Sequence, residues 1–146
     1  MIWHNKKISV GDLSSMGKDN MAGWLGIEFV DLGADYLKGS MPVDHRTLQP
    51  YGLLHGGASC VLAETLGSIG SSLVIDTDHF ICVGIEINAN HIKSAREGFV
   101  TGTAKPIHLG SSTHVWEIRI NNEKGALICI SRLTVAILPR KKEKVD

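Results

Sequence analysis

Between His55 and Ile75 the chain carries a single charged residue, Glu64. Leu62, Leu66, Ile69 and Leu73 recur through this stretch at i, i+4, i+7 and i+11, the spacing of an apolar helical stripe. Ala63, Gly67 and Gly70 keep the remaining surface small. Each glycine inside a helix costs roughly 1 kcal/mol relative to alanine, so this helix has to be held by close packing on several sides. The rest of the chain must therefore wrap it. A turn built on Pro50 and Gly52 leads into it.

Glu64 lies about 200° round the helix from Leu62 at 3.6 residues per turn. It aligns with Cys60 and Ser68 at i, i+4 and i+8. A lone glutamate on a helix is ordinarily a solvated surface residue. The absence of any other charge sets this one apart, and the pattern predicts a desolvated carboxylate. Desolvation raises a carboxyl pKa and a nearby donor lowers it, and such environments are common at catalytic sites.

The elements on either side read in order. Residues 1–25 form an N-terminal flap, with Asp12 and Ser14 as caps of short helices and Trp3 and Trp24 packed on the core. Residues 27–43 read as a β-hairpin turning at residues 32–35. After the helix, strands are expected over residues 80–91, 99–109, 114–121 and 126–138. Gly102 and Pro106 suggest a bulge or bend in the second of these. On the third, Trp116, Ile118 and Ile120 alternate with Val115, Glu117, Arg119 and Asn121, and residues 122–125 close a hairpin. The sum is an α+β fold, an antiparallel β-sheet wrapped around one long central helix. It forms a single domain over residues 1–138, followed by a basic tail over 139–146.

Composition narrows the function. Fifteen basic residues balance fifteen acidic ones and aromatics make up 5% of the chain, so neither a basic stripe nor stacking platforms point to nucleic acid. In the tail, Arg140, Lys141, Lys142 and Lys144 outnumber Glu143 and Asp146, which reads as a solvated, frayed terminus. Cys60, Cys82 and Cys129 lie far apart without metal-ligand spacing. They read as buried small residues of a reducing compartment. No metal or cofactor is expected, and Ser59 lacks the setting of a serine hydrolase elbow. No apolar h-region marks a secretory signal. No uninterrupted apolar run approaches the ~18 residues of a membrane span, so a cytoplasmic protein is expected. His4, His45, His79 and His114 read as surface or structural residues.

The run Gln49-Pro50-Tyr51-Gly52-Leu53-Leu54-His55-Gly56-Gly57, followed by Ala63-Glu64-Thr65-Leu66-Gly67-Ser68, resembles the hotdog-fold acyl-CoA thioesterases. Within that family it is similar to the branch with a glutamate catalyst. Met41-Pro42-Val43-Asp44, Val83-Gly84, Glu86-Ile87-Asn88-Ala89-Asn90-His91, Pro106-Ile107-His108-Leu109-Gly110 and Trp116-Glu117-Ile118 extend the resemblance over residues 1–138. They resemble members that release 1,4-dihydroxy-2-naphthoate from CoA for menaquinone synthesis, and the proofreading thioesterases of enterobactin synthesis.

The resemblance implies hydrolysis of an aromatic acyl-CoA, with a carrier-protein thioester as the alternative substrate and a non-catalytic acyl-CoA binder as the alternative role. It implies dimers that pair into homotetramers, with sites shared between subunits. Glu64 matches the nucleophile or general base and the Gly56 N–H the oxyanion donor. Gln49 and His55 match polar residues around the thioester carbonyl, and Ser68 a residue that positions water or the carboxylate. Val83, then His91, Ile92 and Lys93, then His108, Leu109, Gly110, Ser111 and Ser112 match substrate-binding segments. Ile92 and Ser94, flanking Lys93, depart from the more basic pattern usual there.

Overall fold

The computed structural model describes residues 1–13 and 15–141. Ser14, expected as a cap, and residues 142–146 of the basic tail lie outside the described residues. Two single-turn helices, α1 (Val10–Leu13) and α2 (Met21–Trp24), precede the hairpin of β1 (Glu28–Leu32) and β2 (Leu37–Pro42). Helix α3 (Gly56–Val74) follows, then β3 (Phe80–His91), β4 (Phe99–Leu109), β5 (Thr113–Asn122) and β6 (Leu127–Pro139). The strands form one antiparallel sheet in the order β1-β2-β4-β5-β6-β3. Helix α3 packs against β2, β3, β4, β5 and β6, which is the wrapping that its composition demands.

Glycines set the distance between helix and sheet. Gly39 and Gly102 pair across β2 and β4, directly beneath Leu66. A Cβ on Gly39 would lie 2.9 Å from one Leu66 methyl, and a Cβ on Gly102 2.7 Å from the other. On the helix side, a Cβ on Gly67 would meet Leu133 at 2.6 Å, and one on Gly70 would meet the Trp116 ring at 2.9 Å. Gly102 therefore marks a close helix approach. The irregularity of β4 falls between Pro106 and His108, where proline cannot donate to the ladder. Leu62 and Leu66 are fully buried as the stripe requires. Ile69 and Leu73 are only half-buried, because the face on the sheet continues through Gly67, Gly70 and Ser71.

The N-terminal segment divides in its behaviour. Trp3 is fully buried and stacks on Trp116, with centroids 6.5 Å apart, while its Nε1–H donates to the Gly33 carbonyl at 2.7 Å. Asp12 holds α1 by accepting from the Ser9 N–H at 2.8 Å and the Ser9 hydroxyl at 2.6 Å. Trp24 departs from the expected core position and is 73% exposed. One helical turn cannot hide both sides: Ala22 packs inward, and Trp24 lies about 200° round from it. The chain end is also less free than expected at its start, since the Arg140 N–H donates to the His79 carbonyl at 2.7 Å. By length and composition α3 is apolar enough to cross a bilayer, although Glu64 and several serines interrupt any continuous apolar run. Here its apolar face is spent on the sheet.

Candidate active site

The loop before α3 is closed at its base by a bridge between Leu48 and Leu54 and turns at Gly52, where φ is +75°. That positive φ is the conformation glycine adopts without steric cost. The Gln49 Oε1 accepts from the Tyr51 N–H, which commits the side-chain oxygen to the turn and leaves its amide N–H groups for other partners. Buried Thr47 holds the other side, donating its hydroxyl to the Pro42 carbonyl at 2.7 Å and accepting the His55 N–H on its own carbonyl at 2.8 Å. Arg46, 2.7 Å from Asp44, pulls that carboxyl down to a pKa of about 2 and fixes the start of the connection.

His55 is the N-cap of α3, and its Nδ1 accepts from the Gly57 N–H at 2.8 Å. In the neutral ring Nε2 then carries the proton as an outward donor. The Ala58 and Ser59 N–H groups both reach the His55 carbonyl. Among the described residues nothing accepts from the Gly56 N–H. It is the one first-turn donor left free, at the positive end of the helix. A Cβ on Gly56 would lie 2.6 Å from His91 Nε2, so glycine is what lets the imidazole lie this close to the start of the helix. A cleft of about 310 Å³ gathers Gln49, Gly56, His91, Ile92 and Lys93 here.

Glu64 sits eight residues further along α3, a separation of about 12 Å at 1.5 Å per residue. Its carboxylate lies over β3, with Oε1 2.7 Å from where a Cβ of Gly84 would be, next to Val83. It opens into a second cleft, of about 370 Å³, together with Thr65, Ser68 and Ile69. The opposite wall is Phe29 and the N-terminal residues Met16, Met21 and Ala22. The expected desolvation is not met within one chain: Glu64 is exposed, because only the edge strand β3 reaches beneath its side of α3. Burial of Cys60 holds its thiol pKa up, and the nearby Glu64 charge adds to this.

One chain thus brings the expected residues together in three places. Gln49, His55, Gly56, His91, Ile92 and Lys93 surround the start of α3. Glu64, Ser68 and Val83 lie at its middle. Leu109, Gly110 and Ser111 line a third hollow with Val74 and Ile75 at its C-terminal end, with His108 against Gly110 and Ser112 accepting from the Ile137 N–H nearby. The two proposed binding segments are therefore at opposite ends of the helix. Sequence reading missed the N-terminal wall of the Glu64 cleft and the role of Gly84. Among the described residues no three His, Cys, Asp or Glu side chains come together in a way that could hold a metal ion.

A long glycine-bearing helix in the grip of six antiparallel strands, carrying one carboxylate and a free N–H at its start, is the hotdog architecture of thioester hydrolases. The family model described as the thioesterase superfamily matches residues 51–129, and the chain belongs to that family. It is 56% identical over 138 residues to a 1,4-dihydroxy-2-naphthoyl-CoA hydrolase of Escherichia coli, covering 94% of this chain and 100% of that protein. It is 44% identical to a proofreading thioesterase of Cronobacter turicensis, covering 94% of this chain and 99% of that one. A crystal structure of a mutant thioesterase from Pseudomonas aeruginosa superposes with a TM-score of 0.93 at 47% identity, over 96% of this chain and 100% of that one. The protein is a thioester hydrolase.

Proposed function

We propose that this thioesterase hydrolyses an aromatic acyl-CoA, with 1,4-dihydroxy-2-naphthoyl-CoA as its substrate and a place in menaquinone synthesis. The carrying observation is the Glu64 cleft: a largely apolar slot whose one ionisable lining group is a carboxylate. Glu64 attacks the thioester carbonyl, or takes a proton from the water that does. On either route the C–S bond breaks, the thiolate is protonated, and one water is consumed to give acid and thiol. The Gly56 N–H receives the charge that builds on the carbonyl oxygen. Gln49 and the Nε2–H of His55 orient that oxygen, and Ser68 orients the water.

Gly56 and Glu64 are too far apart in one chain to act on the same thioester. A pair of protomers resolves this, and β3 supports the pairing. It is an edge strand of 12 residues with exposed Phe80, Ile81, Val83 and Ile85. An edge of that length and apolarity is an aggregation hazard unless it is paired. Joining two copies along it sets Gly56 of one against Glu64 of the other, and the pairs assemble into a tetramer. Pairing also brings the segments at His91 and at His108 to a common thiol arm, so that Lys93 and the turn at Ser111 and Ser112 bind CoA. Three free cysteines support residence in a reducing cytoplasm.

The test is thiol release from a panel of CoA thioesters by the wild type and Glu64→Gln. Loss of at least ~10²-fold in kcat for the Gln protein is expected, with dihydroxynaphthoyl-CoA ranked first. A Gln variant of full activity overturns the mechanism. The proofreading relative supports a second reading, in which the thioester is carried by a protein. Faster release from an aryl carrier protein than from the matching CoA ester would establish it. Light scattering on the active protein tests the assembly, and an active monomer overturns the shared site.

A further inference from the structure

The wall facing α3 across the Glu64 cleft is built by a strap, residues 16–22. Its backbone is locked. Asn20 caps α2 by accepting from the Ala22 and Gly23 N–H groups at 3.1 and 3.4 Å, and its Nδ2 donates to the Met16 carbonyl at 2.8 Å. Gly23 lies so close to the Gly17 carbonyl that a Cβ there would fall 1.8 Å from its oxygen. The Ala22 carbonyl accepts from the Ile27 N–H, tying the strap to the approach to β1. Leu13, fully buried, anchors its other end.

On this fixed backbone stand two flexible apolar side chains with little to cover them. Met16 is 45% exposed and Met21 60% exposed, both at the cleft. Methionine is the side chain that adapts its shape to an apolar partner. On the helix wall opposite stand the hydroxyl-bearing side chains of Thr65 and Ser68. The slot therefore presents an adaptable apolar side, a side with two hydroxyls, and a carboxylate. It matches a flat acyl group that is apolar on its face and hydroxylated at its edge.

Resting on the thioesterase reading, we infer that this strap selects the acyl group, with Met21 as the side chain that closes on the ring remote from the thioester. The rigid loop sets how wide the slot is, and the two methionines set what fills it. Met21 stands on a helix with no buried residue, so its substitution leaves the fold intact.

The test has two arms. In the first, KM and kcat are measured for dihydroxynaphthoyl-, benzoyl- and hexanoyl-CoA. Met21→Ala raises the KM for the two-ring substrate about tenfold, the scale for lost apolar contact in a pocket, while its kcat and the benzoyl KM change less than about threefold. Met21→Leu, which nearly conserves volume, restores the wild-type ranking. In the second arm, methyl-labelled Glu64→Gln protein is titrated with dihydroxynaphthoyl-CoA. The Met16 and Met21 methyl signals move, and that of core-buried Met41 does not. An unchanged acyl ranking in Met21→Ala, with Glu64-dependent turnover intact, overturns the strap and leaves the thioesterase reading standing. Methyl shifts without turnover in the wild type overturn the thioesterase reading and leave the strap. Still Met21 signals on saturation overturn the strap.

Discussion

The Glu64 carboxylate rests over the α-carbon of Gly84, with Oε1 only 2.7 Å from the position a Cβ there would take. Gly84 pairs with Val135 immediately before the irregularity of β3. Glycine at this point of the strand gives the carboxylate its seat. The group that a methyl would displace is the end of a flexible side chain, so the conflict is resolved by moving the Glu64 carboxylate and not the backbone. Gly84→Ala is expected to keep the thermal midpoint within a few degrees, since its φ is not in the left-handed region. On the proposed mechanism activity falls, because displacement of a reacting group by about 1 Å can cost on the order of 10²-fold. Parallel melting curves and kcat measurements check this; wild-type kcat in Gly84→Ala would mean that the seat does not matter.

The glycines beneath Leu66 respond in the opposite way. Leu66 is fully buried and enclosed, so it cannot swing clear of a new side chain at Gly102. Gly102→Val is expected to destabilise the fold by about 1–3 kcal/mol, the usual cost of overpacking a filled core. The denaturant midpoint reports it. In whatever fraction remains folded at low denaturant, kcat stays near that of the wild type, since Gly102 lies on β4, away from the Glu64 cleft.

This contrast also explains what could be read from the residues alone. The strands at 80–91 and 114–121 and the long helix were legible, because period-two alternation and the charge-free stretch around Glu64 are local properties of the chain. The hotdog arrangement followed from the motif at Gln49 to Gly57. The exposure of Glu64 was not legible: periodicity says which helix faces differ, but the sheet decides how many of them are covered. Trp24 failed for a related reason, since a one-turn helix carries too little pattern to orient its side chains. Nor did anything local reveal that residues 16–22 fold back against α3. That contact joins segments some 40 positions apart and is written only in the close fit of Gly17 to Gly23.

His55 separates two roles that the same ring performs. Its Nδ1 caps α3 through the Gly57 N–H, and its Nε2–H faces outward. Removing an N-cap side chain costs about 1 kcal/mol. His55→Ala is therefore expected to lower both stability by that amount and activity. His55→Asn supplies a strong capping oxygen and restores the melting temperature, but leaves kcat low, because the outward donor is gone. Recovery of activity along with stability in the Asn variant would reduce His55 to a cap.

A buried polar group at the far end of α3 ties stability to pH. His114 is 2% exposed; its Nδ1 lies 3.1 Å from the Ser71 hydroxyl oxygen, which accepts from Trp116 Nε1–H at 2.8 Å. Burial holds the His114 pKa below its usual value of 6.5, the neighbouring His108 lowers it further, and the Gly110 backbone partly offsets both. The unfolded chain therefore binds a proton near pH 6.5 that the folded chain refuses until lower pH. This contribution to stability is complete above about pH 6.5 and declines as pH falls from there to the folded pKa, by at most about 1.4 kcal/mol per pH unit. Below the folded pKa both states are protonated and the decline stops. Urea unfolding at a series of pH values from 7.5 to 5 measures the slope. His114→Asn is less stable at every pH for want of packing, but its slope should be shallower by up to one proton, since the other six histidines are common to both proteins. Equal slopes in the two proteins would mean that His114 takes up its proton in the folded state as readily as in the unfolded one.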